Sequence, residues 1–110
     1  MSDTENSSTP SVKPLAALID YQAGTVSSRT LRKKPATTVT IFAFDQGEGL
    51  SEHTAPFDAM VYAVDGEVEI RISGQPYRLK TGDTVTMPAN QPHSLRAITP
   101  FKMLLIMAKA

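Results

Sequence analysis

Glycines 66, 74 and 82 recur at an interval of eight residues, and the runs between them are rich in valine, threonine, isoleucine and aromatics. Such an interval leaves room for a strand of about five residues and a turn. The turns are chemically marked as well. Asp65-Gly66 and Ser73-Gly74 each suit a tight reversal with a residue at positive φ, and Thr81-Gly82-Asp83 supplies another. This punctuation predicts an all-β chain, folded as a meander or a jelly roll.

The candidate strands run over Thr25–Leu31, Thr38–Asp45, Leu50–His53, Met60–Val64, Glu67–Ile72, Tyr77–Lys80, Thr84–Met87, His93–Ala97 and Lys102–Ala108. Alternation assigns faces: in Glu67–Ile72, Val68, Ile70 and Ile72 point to one side and Glu69 and Arg71 to the other. The last strand is apolar at successive positions from Met103 to Ala108, which implies burial on both faces, inside a sandwich or beneath a second subunit. Ahead of the strands, residues 1–11 are polar except for Met1 and Pro10 and predict a disordered tail. Residues 12–24 form an arm, with a short helical turn or an irregular path over Val12–Tyr21, and residues 25–110 form a single barrel domain.

Composition narrows the chemistry. The chain has 110 residues, 11 basic and 11 acidic, so it generates no net field to gather nucleic acid or anionic lipid. With no cysteine there are no disulfides, thiolate nucleophiles or thiolate metal sites. No apolar run reaches the roughly 18 to 20 residues that span a bilayer, and the first residues lack the pattern of a signal peptide, so a cytoplasmic protein is expected. The partners this balance permits are a small neutral or hydrophobic molecule, or another protein.

Only His53 and His93 offer imidazoles. Each lies at the mouth of a strand segment punctuated by glycine and proline, and chemistry near neutral pH involves both or neither. The segment from Gly47 through His53 and Pro56 to Gly66 resembles the first conserved motif of the small single-domain cupins. Gly82 to His93, with Pro88 and Pro92, resembles the second. The spacings are specific: Gly47 to His53 is six residues, Gly82 to Pro88 six, and Pro88 to His93 five. The resemblance implies a cupin double-stranded β-helix, that is, a jelly-roll barrel, and a homodimer.

The resemblance also implies a metal site of three histidines and one glutamate, and here this chain departs. His53 and His93 fit two ligand positions, Ala55 stands where a second histidine of the first motif would be, and Ala59 where the glutamate would be. Asp58 lies one residue before that glutamate position and replaces it only if the backbone bulges. One divalent transition metal (Zn, Fe, Ni, Mn or Cu) would therefore be held weakly, by His53 and His93 with support from Asp58, Glu52 or Glu48. Two readings need no metal: a neutral, hydrogen-bonded imidazole pair, or one imidazole acting as general base toward a small organic substrate.

Strand parity lines a pocket with His53, Ala55, Ala59, Val61 and Ala63 from the first motif and Val85, Met87, His93, Leu95 and Ala97 from the second; Val61, Ala63 and Val85 read equally as packed core. Phe57, beside Pro56, reads as a lid or as a plug at a subunit contact. Arg32-Lys33-Lys34 before Pro35 reads as an exposed basic loop, with an anion contact as the alternative. The functional expectation is a small-molecule-binding protein with a degenerate two-histidine site. The alternative is a metal-dependent oxygenase or isomerase.

Overall fold

The computed structural model describes residues 9–109. Most of the tail expected over residues 1–11, and the end of the barrel domain at Ala110, lie outside the described residues. The arm carries one 3₁₀ turn, Leu15–Leu18, with no side-chain cap. Nine strands follow: β1 (Val26–Lys34), β2 (Thr37–Phe44), β3 (Gly49–His53), β4 (Asp58–Asp65), β5 (Glu67–Ile72), β6 (Gln75–Lys80), β7 (Thr84–Met87), β8 (His93–Ala97) and β9 (Phe101–Ala108). All nine expected strands are present, and β5, β7 and β8 have the expected ends. The largest shift is at β1, which continues through Arg32, Lys33 and Lys34. These residues are exposed strand, paired with β2 beyond a register shift between Thr30 and Arg32, and not a loop.

The strands form two antiparallel sheets, one of order β1-β2-β9-β4-β7 and one of order β3-β8-β5-β6. Strands distant in sequence lie side by side, as β9 does between β2 and β4, which is the jelly-roll arrangement expected. Alternation then builds the core between the sheets. Ala59, Val61 and Ala63 of β4 face Val68, Ile70 and Ile72 of β5, with Phe44, Met87, Leu95, Ala97, Phe101 and Met103 filling the space. Phe44 and Phe101 are fully buried with ring centroids 5.9 Å apart.

The last strand is buried on both faces only at its start, Phe101–Met103, while Leu104–Met107 are half-buried and Ala108 is exposed. Phe101 and Met103 enter the core, while Lys102, on the opposite face, lies under the arm. Its ammonium donates to the Ala16 carbonyl at 2.6 Å and stands 4.7 Å from the centre of the Tyr21 ring. Tyr21 in turn donates its hydroxyl to Asp65 at 2.5 Å, and Arg29 donates to the Leu18 carbonyl at 3.0 Å. Ile41 and Ala43 share this outer face and have no exposed surface. The arm is thus a cover over one half of the outer face of the larger sheet.

Candidate functional site

His53 ends β3 and His93 begins β8, and the two are direct partners in the antiparallel ladder. His93 also pairs with Ile72 of β5, so its side chain shares the inner face with Ile72, Leu95 and Ala97, and it is only 8% exposed. The orientation of His53 depends on an irregularity. Leu50 pairs with Leu95 and His53 with His93, so three residue steps on β3 match two on β8. In a regular strand Glu52 would share the face of Leu50 and His53 would point away. The extra residue is a β-bulge that turns His53 toward His93 and leaves Glu52 exposed.

Gly49 anchors the bulge. A Cβ at this position would stand 2.1 Å from the Leu95 carbonyl oxygen, so the close approach of β3 to β8 requires glycine. The loops that carry the histidines are tied together beyond the strands. The Asn90 amide donates to the Ala55 carbonyl at 2.8 Å, with Asn90 at φ +64°, a left-handed conformation that asparagine tolerates. The Ala89 amide donates to Asp58 at 2.9 Å.

The hydrogen bonds of the two rings determine what the site presents. His53 Nδ1 lies 2.9 Å from the Ser51 carbonyl and His93 Nδ1 lies 3.1 Å from the Gln91 carbonyl. A carbonyl oxygen only accepts, so each Nδ1 carries the hydrogen and donates it. In the neutral rings both Nε2 atoms are then bare acceptors, and they stand 3.1 Å apart, with ring centroids 4.3 Å apart and planes inclined by 68°. Two lone pairs at that distance repel unless a hydrogen or a cation lies between them.

The remaining expected ligands do not converge there. Asp58 pairs with Ala108 on the outer face, opposite to the inward Ala59, and its carboxylate accepts the Ala89 amide. Ala55 is half-buried, Ala59 is buried in the core, and neither has a donor atom. Glu48 and Glu52 are not joined to the pair: among the described residues no group of three or more histidine, aspartate or glutamate side chains is placed to hold a metal. With metal–nitrogen bonds of about 2.1 Å, a separation of 3.1 Å matches two adjacent corners of an octahedral site. The other corners have no protein donor, so the described residues do not make the closed set of a firmly retained metal.

Of the expected lining, Ala59, Val61, Met87, Leu95 and Ala97 belong to the buried apolar cluster, together with Ala63, and Val85 packs partly buried against it. These side chains are packed core rather than the wall of an open pocket; His93 is 8% exposed beside them and His53 is exposed. Phe57 is half-buried, and the Lys109 ammonium is 5.7 Å from its ring centre. Sequence parity missed the bulge at Ser51 and Glu52, because nothing in those two residue types distinguishes a bulged from a regular strand end. The nearby Gly47 and Gly49 were the available signal of irregular backbone.

Residues 40–107 match the family described as Cupin domain. Among solved structures, a conserved protein of unknown function from Streptococcus pyogenes, SPY1581, is 35% identical, with a TM-score of 0.89 over 96% of this chain and 92% of that one. A cupin 2 conserved barrel domain protein from Leptotrichia buccalis is 42% identical, with a TM-score of 0.84 over 86% of this chain; the match spans 46% of that longer chain. A cupin superfamily protein from Desulfitobacterium hafniense is 28% identical, with a TM-score of 0.88 over 93% of this chain and 94% of that one. No curated protein matches the chain.

Proposed function

The chain belongs to the cupin domain family, and from that premise we propose that it is a small-molecule-binding protein whose His53–His93 pair receives the acidic hydrogen of its ligand. The observation that carries this reading is the convergence of two Nε2 acceptors at 3.1 Å, each fixed by an Nδ1–H donated to a backbone carbonyl. A carboxylic acid, a phenol or a polarised hydroxyl supplies the hydrogen that such a pair lacks, and relieves the repulsion between its lone pairs. Exposed His53 gives the ligand access from solvent, and half-buried Ala55, two residues on, brings no competing donor or acceptor side chain. The fixed rings orient a bound group and hold one hydrogen at Nε2.

The test is a thermal-shift screen of small organic acids and phenols against untagged, dialysed protein, with metal content measured in parallel. The reading predicts a saturable rise in Tm that disappears in both His53→Ala and His93→Ala, with little metal retained. A rise unchanged in both variants, or about one equivalent of a transition metal surviving dialysis, contradicts it.

A second reading, a metal-dependent enzyme, draws on one observation: the same 3.1 Å separation suits two adjacent metal ligands. Such a metal would need its remaining donors from a bound substrate, and metal uptake would rise only when a chelating oxyacid is present.

We also propose a homodimer through the open half of the larger sheet's outer face. There Met60 and Tyr62 of β4, 40% and 38% exposed, adjoin Ile106 and Leu104 of β9, with Val39 of β2 beyond them. Arg32 of β1 stands at one side of this face and Asp58 of β4 across it. A two-fold axis parallel to the strands lays the basic side of one copy over the acidic side of the other.

A further inference from the structure

A hollow of about 90 Å³ opens between the β1–β2 turn and the end of β9, apart from the histidine pair. Phe57, Met107, Pro35 and Ala36 give it apolar walls, and Lys34 and Lys109 stand in its lining. The backbone holds this shape: the Lys109 amide donates to the Ala36 carbonyl at 2.8 Å, and Thr37 pairs with Ala108. Both lysines are exposed, and among the described residues the ion pairs are Arg71–Glu69 and Arg78–Glu67, so neither lysine is neutralised. The acid on the adjoining strand, Asp58, has its carboxylate on the Ala89 amide. Lys109 is held over Phe57, at 5.7 Å from the ring centre, which keeps one positive charge at the apolar wall.

An apolar wall with two uncompensated ammonium groups at its lining complements an anion with a short apolar tail. Size narrows the class further, because a cavity that holds benzene measures about 150 Å³. At about 90 Å³ this hollow is filled by a chain of a few carbons, with the charged end of the ligand at its open side. We propose that it is a binding site for short-chain aliphatic carboxylates, with the alkyl group against Phe57 and Met107 and the carboxylate between Lys34 and Lys109. The site does not depend on His53 or His93.

The experiment titrates sodium butyrate into the ¹⁵N-labelled full chain at constant ionic strength, with butylammonium chloride and sodium chloride as parallel titrants. Saturable shifts confined to the amides of Thr37, Thr38, Met107 and Lys109, produced by butyrate alone, are expected. The Lys34→Ala/Lys109→Ala variant should weaken the apparent affinity about tenfold, the scale of two exposed charge contacts. His53→Ala should leave it unchanged. No saturable shift in the hairpin, equal shifts with sodium chloride, shifts centred on His53 and His93, or undiminished binding by the double lysine variant would each overturn the proposal. A conservative Lys34→Arg/Lys109→Arg variant, which keeps both charges, should retain binding.

Discussion

At the scale of single residues, position 49 has the tightest constraint near the site. Gly49→Ala places a methyl group 2.1 Å from the Leu95 carbonyl oxygen, so β3 must move away from β8. The expected result is a loss of stability of about 1 to 3 kcal/mol in denaturant unfolding, together with loss of the imidazole–imidazole contact in NMR. Unchanged imidazole signals would show that the close approach does not position His53. Tyr21 gives a prediction of opposite location. Burial first, then the hydrogen bond to the Asp65 carboxylate and its negative charge, raise the phenol well above its ordinary value of 10.0. Because the folded state favours the neutral phenol, the arm contact is fully present below about pH 10 and weakens as pH rises beyond it. Hydrogen exchange at Lys102 should accelerate above that pH, and Tyr21→Phe should remove this dependence while exposing the amide at lower pH.

At the scale of elements, strand existence was legible because each strand is bounded by turn chemistry and patterned by period two. Gly66 illustrates the reason: its φ of +89° and a Cβ position 2.0 Å from the Pro100 carbonyl oxygen leave glycine as the residue that fits, so the sequence marks the reversal at Asp65. The site was legible only in part. His53 and His93 were identifiable as partners, but the side to which His53 points is set by an inserted residue in β3, and Ser51 and Glu52 are ordinary at either a bulge or a regular strand end. The extension of β1 through Arg32–Lys34 was missed for a related reason: three consecutive basic residues break alternation on an exposed edge strand, where no burial enforces a pattern. Deleting Glu52 leaves two residue steps on β3 against two on β8, so a regular strand then carries His53 on the face of Leu50 and opposite His93 without a bulge. The prediction is a folded protein by circular dichroism whose two imidazoles still perturb one another in ¹H–¹⁵N correlation spectra, and loss of that coupling would show that the extra residue is not the bulge.

At the scale of the whole molecule, stability and assembly occupy different surfaces. The core lies between the sheets, so Phe101→Ala should cost about 3 to 5 kcal/mol in equilibrium unfolding. The outer face is half covered by the arm and half open at Met60 and Tyr62. If two copies pair there, Met60→Lys/Tyr62→Lys should be monomeric in light scattering at concentrations where the unmodified chain is dimeric, with its β signal intact. A monomeric unmodified chain, or a dimeric variant, contradicts that interface. The chain spans no described helix long and apolar enough to cross a membrane. The fold was the most legible level, because every strand contributes to it redundantly, whereas the hollow beside the β1–β2 turn depends on the packing of Phe57 and Met107 and leaves no pattern in the sequence.

The histidine pair is where the functional account is most directly exposed to test. The decisive measurement is the protonation of the four imidazole nitrogens of metal-free protein, read from long-range ¹H–¹⁵N correlations of uniformly labelled sample. Nδ1 is expected to carry hydrogen in both His53 and His93, and both Nε2 atoms to act as acceptors, facing one another with at most one hydrogen between them. Adding a ligand acid should move the two Nε2 resonances and leave Nδ1 in place. A bare Nδ1 with hydrogen on Nε2 in either ring would contradict the account, because a site already supplied with that hydrogen has no use for one from a ligand.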